Sequence, residues 1–187
     1  MRRRAFIKAL GGLASLTYPI AGMPLFGIPT SAAASITIVA LGTSNTRGRG
    51  VSPQDSYPAQ LQAMLRAKGL PVQVINMGVN GDTTVGMLAR LNAVPNGTRL
   101  VLLESWPTNE ARGGVSNTSA NLTEIQSRLA ARNIKVLDVT VYFQAEHRAA
   151  GPAGNLVSTP AGPHLNGIAY SHVAAQLLPQ VEAAIGR

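Results

Sequence analysis

Short apolar runs alternate along this chain with longer segments whose apolar residues recur every three or four positions. Residues 36–41, 72–75, 100–103 and 135–141 are brief and rich in Val, Ile and Leu, which predicts strands buried on both faces. Residues 57–68, 84–92, 116–132 and 167–185 carry helical spacing; Leu61, Met64 and Leu65 share one face, and Leu122, Ile125 and Leu129 another. Strand and helix in turn predict an α/β fold, a three-layer α/β/α sandwich around a central parallel sheet of four to five strands. In such sheets ligands bind beyond the carboxyl ends of the strands. Residues 149–163, rich in Gly, Pro and Ala, read as a loop that delivers His164. No period of 20 to 50 residues repeats, so one domain is expected.

The first residues read as an address. Arg3 to Lys8 fits the twin-arginine pattern R-R-x-F-I-K, and a modestly apolar segment at 9–28 follows. Pro19 and Pro24 interrupt that segment and argue against an anchor helix, while Ala32, Ala33 and Ala34 suit cleavage before Ser35. Residues 1–34 are therefore expected to be a signal peptide and 35–187 the working domain, periplasmic or secreted, with no stable membrane anchor after cleavage. The leader holds four basic residues and no acid, so the formal charge of +8 falls to +4 without it. The remaining cations are scattered and aromatic residues make up 4% of the chain, which disfavours a nucleic-acid partner. The absence of cysteine excludes disulfides, a thiol nucleophile and thiolate-bound zinc.

Four segments carry candidate chemistry. The strand-like run ending at Leu41 delivers Ser44 into the turn Gly42-Thr43-Ser44-Asn45-Thr46; Gly78-Val79-Asn80-Gly81-Asp82 follows the second strand; Thr108-Asn109-Glu110 follows the third; Gly162-Pro163-His164-Leu165-Asn166 lies near the end. Ester hydrolysis needs a nucleophile, a base and donors for an oxyanion. Ser44 and His164 supply the first two, although serine after a strand also serves as an ordinary helix cap. His147 and His172 are rivals as base, the first in a polar loop and the second within the last helical segment. Thr46 stands where G-x-S-x-G would need its second glycine, so the nucleophile elbow of α/β-hydrolases is excluded.

The ordered Ser, Gly, Asn and His resemble the SGNH hydrolases, the GDSL-type esterases and lipases, over nearly all of residues 35–187. The resemblance implies a flavodoxin-like fold and a serine esterase acting on small to medium acyl or aryl esters, with lysophospholipids in range. It implies Ser44 and His164 as the catalytic pair. The oxyanion hole would comprise the Ser44 and Gly81 backbone N–H groups and the Asn109 amide. Neither cofactor nor metal is expected, the partner is a small-molecule ester, and the chain is expected to be a monomer. The alternative is a catalytically impaired ligand-binding protein of the cell envelope.

Three departures bear on this reading. Thr43 replaces the family's usual aspartate, Pro107-Thr108-Asn109-Glu110 replaces Gly-x-Asn-Asp, and Ala161 stands where an aspartate normally orients the histidine. Three substitutes for that acid are open: a backbone carbonyl near Pro160 or Ala161, a distant acid such as Asp138 or Glu146, or none, with loss of activity. The first is preferred and implies a slower Ser-His dyad. The stretch between the fourth strand and His164 is also short, making a helix and the usual fifth strand candidates for loss.

Overall fold

The computed structural model describes residues 35–186, and the expected signal peptide at 1–34 lies outside them. Four strands, β1 (Ile36–Gly42), β2 (Val72–Gly78), β3 (Thr98–Leu103) and β4 (Lys135–Asp138), form a parallel sheet in the order β2-β1-β3-β4. Alternation along β1 and β3 divides the core. Ile38, Ala40, Leu100 and Leu102 face one side, where Tyr57, Leu61, Phe143, Tyr170 and Val173 meet them. Val39, Leu41, Val101 and Leu103 face the other, against Met87, Ile125 and Leu129. Because successive side chains in a strand point to opposite faces, a strand apolar at every position needs both cores.

Helices α1 (Ser44–Arg47), α2 (Tyr57–Ala67), α3 (Thr84–Ala89), α4 (Pro107–Arg112), α5 (Thr118–Ala130), α6 (Thr140–Ala153) and α7 (Gly167–Ile185) complete the domain. Helices α2, α6 and α7 supply the first layer and α3 with α5 the second. The chain leaves β1 toward β2 on one side and returns past β1 to β3 on the other. The carboxyl ends of β1 and β3 therefore flank the point where strand order reverses, the usual place for a ligand crevice.

The fourth apolar run divides where a single strand was expected. The strand stops at Asp138, whose Oδ1 accepts the Thr140 N–H at 2.9 Å and starts α6. The apolar residues after it serve a helix, with Val139, Phe143, Glu146 and Ala150 buried at spacings of four, three and four residues. The expected loop at 149–163 accordingly begins with helix as far as Ala153, and His147 sits on that helix rather than in a loop. The short region before His164 thus keeps a helix. Among the described residues, however, no fifth strand joins the parallel sheet; β5 (Leu156–Val157) and β6 (His164–Leu165) form a separate antiparallel pair.

Phe143 holds α6 in place, packing edge-on to Tyr57 with ring centroids 5.0 Å apart and reaching Tyr170 at 6.4 Å. Replacing a buried phenylalanine with alanine typically costs about 3–5 kcal/mol. Phe143→Ala is expected to lose that much stability in urea titration, whereas a change below about 1 kcal/mol would contradict this packing.

Candidate active site

Ser44 opens α1 directly after β1 and is 6% exposed. Its turn rests on Glu104, a fully buried residue immediately after β3. The Glu104 Oε2 accepts the Thr43 N–H at 2.7 Å and the Thr46 hydroxyl at 3.0 Å; Oε1 accepts the Thr43 hydroxyl at 3.0 Å and the Asn45 amide at 3.4 Å. Gly42 permits this approach, since a methyl group there would collide with the Thr46 hydroxyl and the Glu104 carboxylate. Burial pushes the Glu104 carboxyl above the usual carboxylate range, while the four donors pull it back. Thr43, at the position of the family aspartate, is therefore a second tether of the turn through its hydroxyl.

His164 arrives on β6, paired with Val157 of β5, and is 7% exposed. Its Nε2 lies 2.9 Å from Ser44 Oγ. Its Nδ1 lies 3.0 Å from the Gly162 carbonyl oxygen and 3.1 Å from Thr159 Oγ1. A carbonyl can only accept, so Nδ1 carries the proton and Nε2 presents its lone pair to the serine. The Thr159 hydroxyl donates to the same Gly162 oxygen at 2.6 Å, and Thr159 and Gly162 also exchange backbone bonds of 2.9 and 3.2 Å. The carbonyl expected near Pro160 or Ala161 is thus that of Gly162.

Neither distant acid reaches the imidazole. Asp138 caps α6, and Glu146 binds His172 Nδ1 at 2.9 Å. His172 is thereby occupied at the α6–α7 contact. His147 reaches the site but stacks against Trp106 at a centroid distance of 5.0 Å. Burial pulls the His164 pKa below its ordinary value; the Arg49 charge adds to that effect and the Gly162 carbonyl opposes it. Burial, followed by the nearby His164, lowers His147 as well.

The two other sequence candidates face the same cavity. Gly81 has φ +75°, a left-handed conformation that glycine adopts without steric cost, and a side chain there would meet no protein atom. Its need is conformational, and the space beside it belongs to the cavity. Asn109 lies in α4, opened by Pro107 at a position that requires no N–H donor. One amide hydrogen bonds the Asp82 carbonyl at 3.1 Å, which leaves the second available. Glu110 anchors the helix by accepting from the Thr84 N–H, the Thr84 hydroxyl and the Thr118 hydroxyl at 2.8, 2.9 and 3.1 Å. Arg90 joins Asp82 to the Met77 and Gly42 carbonyls, locking the ends of β2 and β1 to the loop holding Gly81.

The cavity is about 130 Å³, lined by Ser44, His164, Gly81 and Asn109 with Trp106, His147 and two arginines among its other walls. Trp106 is therefore a pocket wall. A wider groove of about 720 Å³ lies elsewhere, beside β4 and α5, and contains none of the candidate groups. Among the described residues no three His, Cys, Asp or Glu side chains converge as metal ligands would. Glu104, Thr159 and Arg90 were not singled out as functional in the sequence, and Gly162 and Asp82 stood within the candidate segments without a role of their own. Only Glu104 carried a signal, a charge directly after an uninterrupted apolar strand.

Residues 40–178 match the GDSL-like Lipase/Acylhydrolase family. Esterase TesA of Pseudomonas aeruginosa is 31% identical over 111 residues, which cover 58% of this chain and 55% of that protein. The crystal structure of AlinE4, an SGNH-hydrolase family esterase, aligns with a TM-score of 0.51 and 34% identity over 57% of this chain and 59% of the other. This chain thus spans between half and three-fifths of those two relatives. The psychrotrophic esterase EstA from Pseudoalteromonas sp. aligns over its whole length and 82% of this chain, with a TM-score of 0.66 and 17% identity, a likeness of fold.

Removing the Glu104 side chain leaves buried donors without an acceptor. Glu104→Ala is expected to lose about 3 kcal/mol in chemical denaturation, with Glu104→Gln retaining most of the stability because one acceptor oxygen remains and the hydroxyls can reorient. Equal stability of the alanine variant and the parent would contradict the tether.

Proposed function

This chain belongs to the GDSL-like Lipase/Acylhydrolase family, and from that premise we propose that it hydrolyses small to medium carboxylic esters using Ser44 as nucleophile and His164 as base. The observation that carries the reading is the 2.9 Å approach of His164 Nε2 to Ser44 Oγ, with Nδ1 directed to a carbonyl. Ser44 Oγ bonds to the ester carbonyl carbon while its proton passes to Nε2. The resulting oxyanion is received by the Ser44 and Gly81 N–H groups and the free amide hydrogen of Asn109. On collapse the ester C–O bond breaks and the departing alcohol takes the proton from Nε2. Water then repeats the sequence on the acyl-enzyme and releases the acid and Ser44.

Gly162 and Thr159 orient the imidazole in place of a carboxylate. They hold the tautomer but give the imidazolium less charge stabilisation than an aspartate, consistent with a slower dyad. The small cavity favours short acyl groups, and all groups in the scheme lie on one chain. The proposal extends to export through Arg3–Lys8 and cleavage before Ser35, giving a periplasmic or secreted enzyme. Among the described residues no helix is long and apolar enough to cross a membrane.

Initial rates with p-nitrophenyl acetate test the assignment. Ser44→Ala and His164→Ala are each expected to lose at least about 10³-fold in kcat, and Asn109→Ala about 10²- to 10³-fold. Full activity in a folded Ser44 variant would overturn the reading.

The pH profile gives a second test. The working base is neutral His164, and its lowered pKa keeps it neutral to lower pH than an ordinary histidine. The acidic limb of kcat/KM is therefore expected below about pH 6.5. A limb at higher pH would contradict the assigned environment.

A further inference from the structure

Among the described residues the guanidinium groups of Arg47, Arg49, Arg99, Arg112 and Arg148 have no protein partner, whereas four others do. Arg66, Arg90, Arg128 and Arg132 bond backbone carbonyls, carboxylates or a side-chain amide, and so have structural partners. Of the unpartnered five, Arg49 and Arg112 line the Ser44–His164 cavity; neither guanidinium makes a hydrogen bond or ion pair among the described residues, while the Arg49 backbone N–H donates to the Ser44 carbonyl at 3.0 Å. Arg49 is half-buried in the turn after α1 and close enough to His164 for its charge to bear on the imidazole. Arg112 ends α4, one turn after Asn109. Glu110, beside it in sequence, faces Thr84 and Thr118 instead.

Among the described residues no carboxylate lines the cavity. Its charged and titratable walls are Arg49, Arg112, His147 and His164, and its apolar lining residues include Trp106, Ala161 and Pro163. At about 130 Å³ the cavity itself suits a short acyl group, and a second groove of about 440 Å³ shares its Arg49 and Asn80. Guanidinium groups with no protein partner favour a bound oxyanion, since charge-assisted hydrogen bonds to carboxylate or phosphate are stronger than neutral ones.

We propose that Arg49 and Arg112 form an anion-recognition site within the active-site cavity and select short-acyl esters bearing a carboxylate or phosphate group near the scissile bond. This deepens the hydrolase reading and rests on it. The anion pairs with the guanidinium groups while the ester carbonyl faces Ser44, so its binding lowers KM for charged substrates. Because Arg112 is exposed and Arg49 half-buried, added salt weakens the preference.

The test compares three acetyl esters of one phenol framework: 4-acetoxybenzamide, 4-acetoxybenzoate and 4-acetoxyphenyl phosphate. The expected result is a kcat/KM about 10-fold or more higher for at least one anionic ester than for the amide, carried mainly by KM. The better anion shows which of carboxylate and phosphate the two arginines favour. The ratio should fall toward one in Arg49→Gln/Arg112→Gln and shrink between 50 and 500 mM NaCl. A wild-type ratio of one, or a preference that survives the double substitution, overturns the proposal. Ser44-dependent hydrolysis of all three esters at a ratio of one removes the anion site and leaves the hydrolase standing. Should folded protein hydrolyse none, the hydrolase reading fails, and titration calorimetry of Ser44→Ala with 4-acetoxybenzoate and 4-acetoxyphenyl phosphate decides the anion site. Arginine-dependent binding of either anion retains the site; failure of both to bind more tightly than the amide discards it.

Discussion

The buried carboxylate of Glu104 is the constraint on which the candidate site depends. It joins the end of β3 to the turn after β1, so the two strands flanking the reversal of sheet order are fixed together beneath Ser44. A carboxyl group in a fully buried position is costly unless several donors meet it, and here Thr43, Thr46 and Asn45 do so. Gly42 is part of the same arrangement because any side chain would occupy the space of the carboxylate. The placement of Ser44 thus begins with a packing decision at the sheet's carboxyl edge.

Two further anchors extend this rigidity across the cavity. Arg90 ties Gly42, Met77 and Asp82 together, and the Asp82 carbonyl in turn accepts from Asn109. Glu110 fastens α4 to the start of α3. The base approaches from the opposite side on a two-residue strand whose turn is closed by Thr159 and Gly162. The orienting group is local to the histidine, so the missing acid at 161 need not be replaced by a distant carboxylate.

The sheet and four principal helices were legible because their apolar periods were undisturbed. Strand boundaries needed extension at Gly42 and Gly78, where polar surroundings end the apolar runs before the backbone pairing ends. Helix α6 was hidden because Val139 and Val141 extend the apolar run of β4, while Gly151 and Pro152 give its far end the composition of a loop. The four candidate residues were legible only as an ordered set, and the structure brings all four to one cavity. A carbonyl beside His164 was legible from the missing acid at Ala161, but that it belongs to Gly162 and is backed by Thr159 was not, since this depends on a turn closed by bonds between residues three apart. The pairing state of an arginine is likewise a property of the folded neighbourhood, which is why Arg49 and Arg112 stand out only in three dimensions.

The proposed mechanism makes Ser44 a nucleophile activated by His164. Treatment of the folded protein with a fluorophosphonate, followed by intact-mass and peptide mass spectrometry, tests it directly. The account predicts one phosphonyl adduct on Ser44 in the parent protein and its loss in His164→Ala. An unmodified parent, or an adduct on another residue with Ser44 untouched, would contradict it.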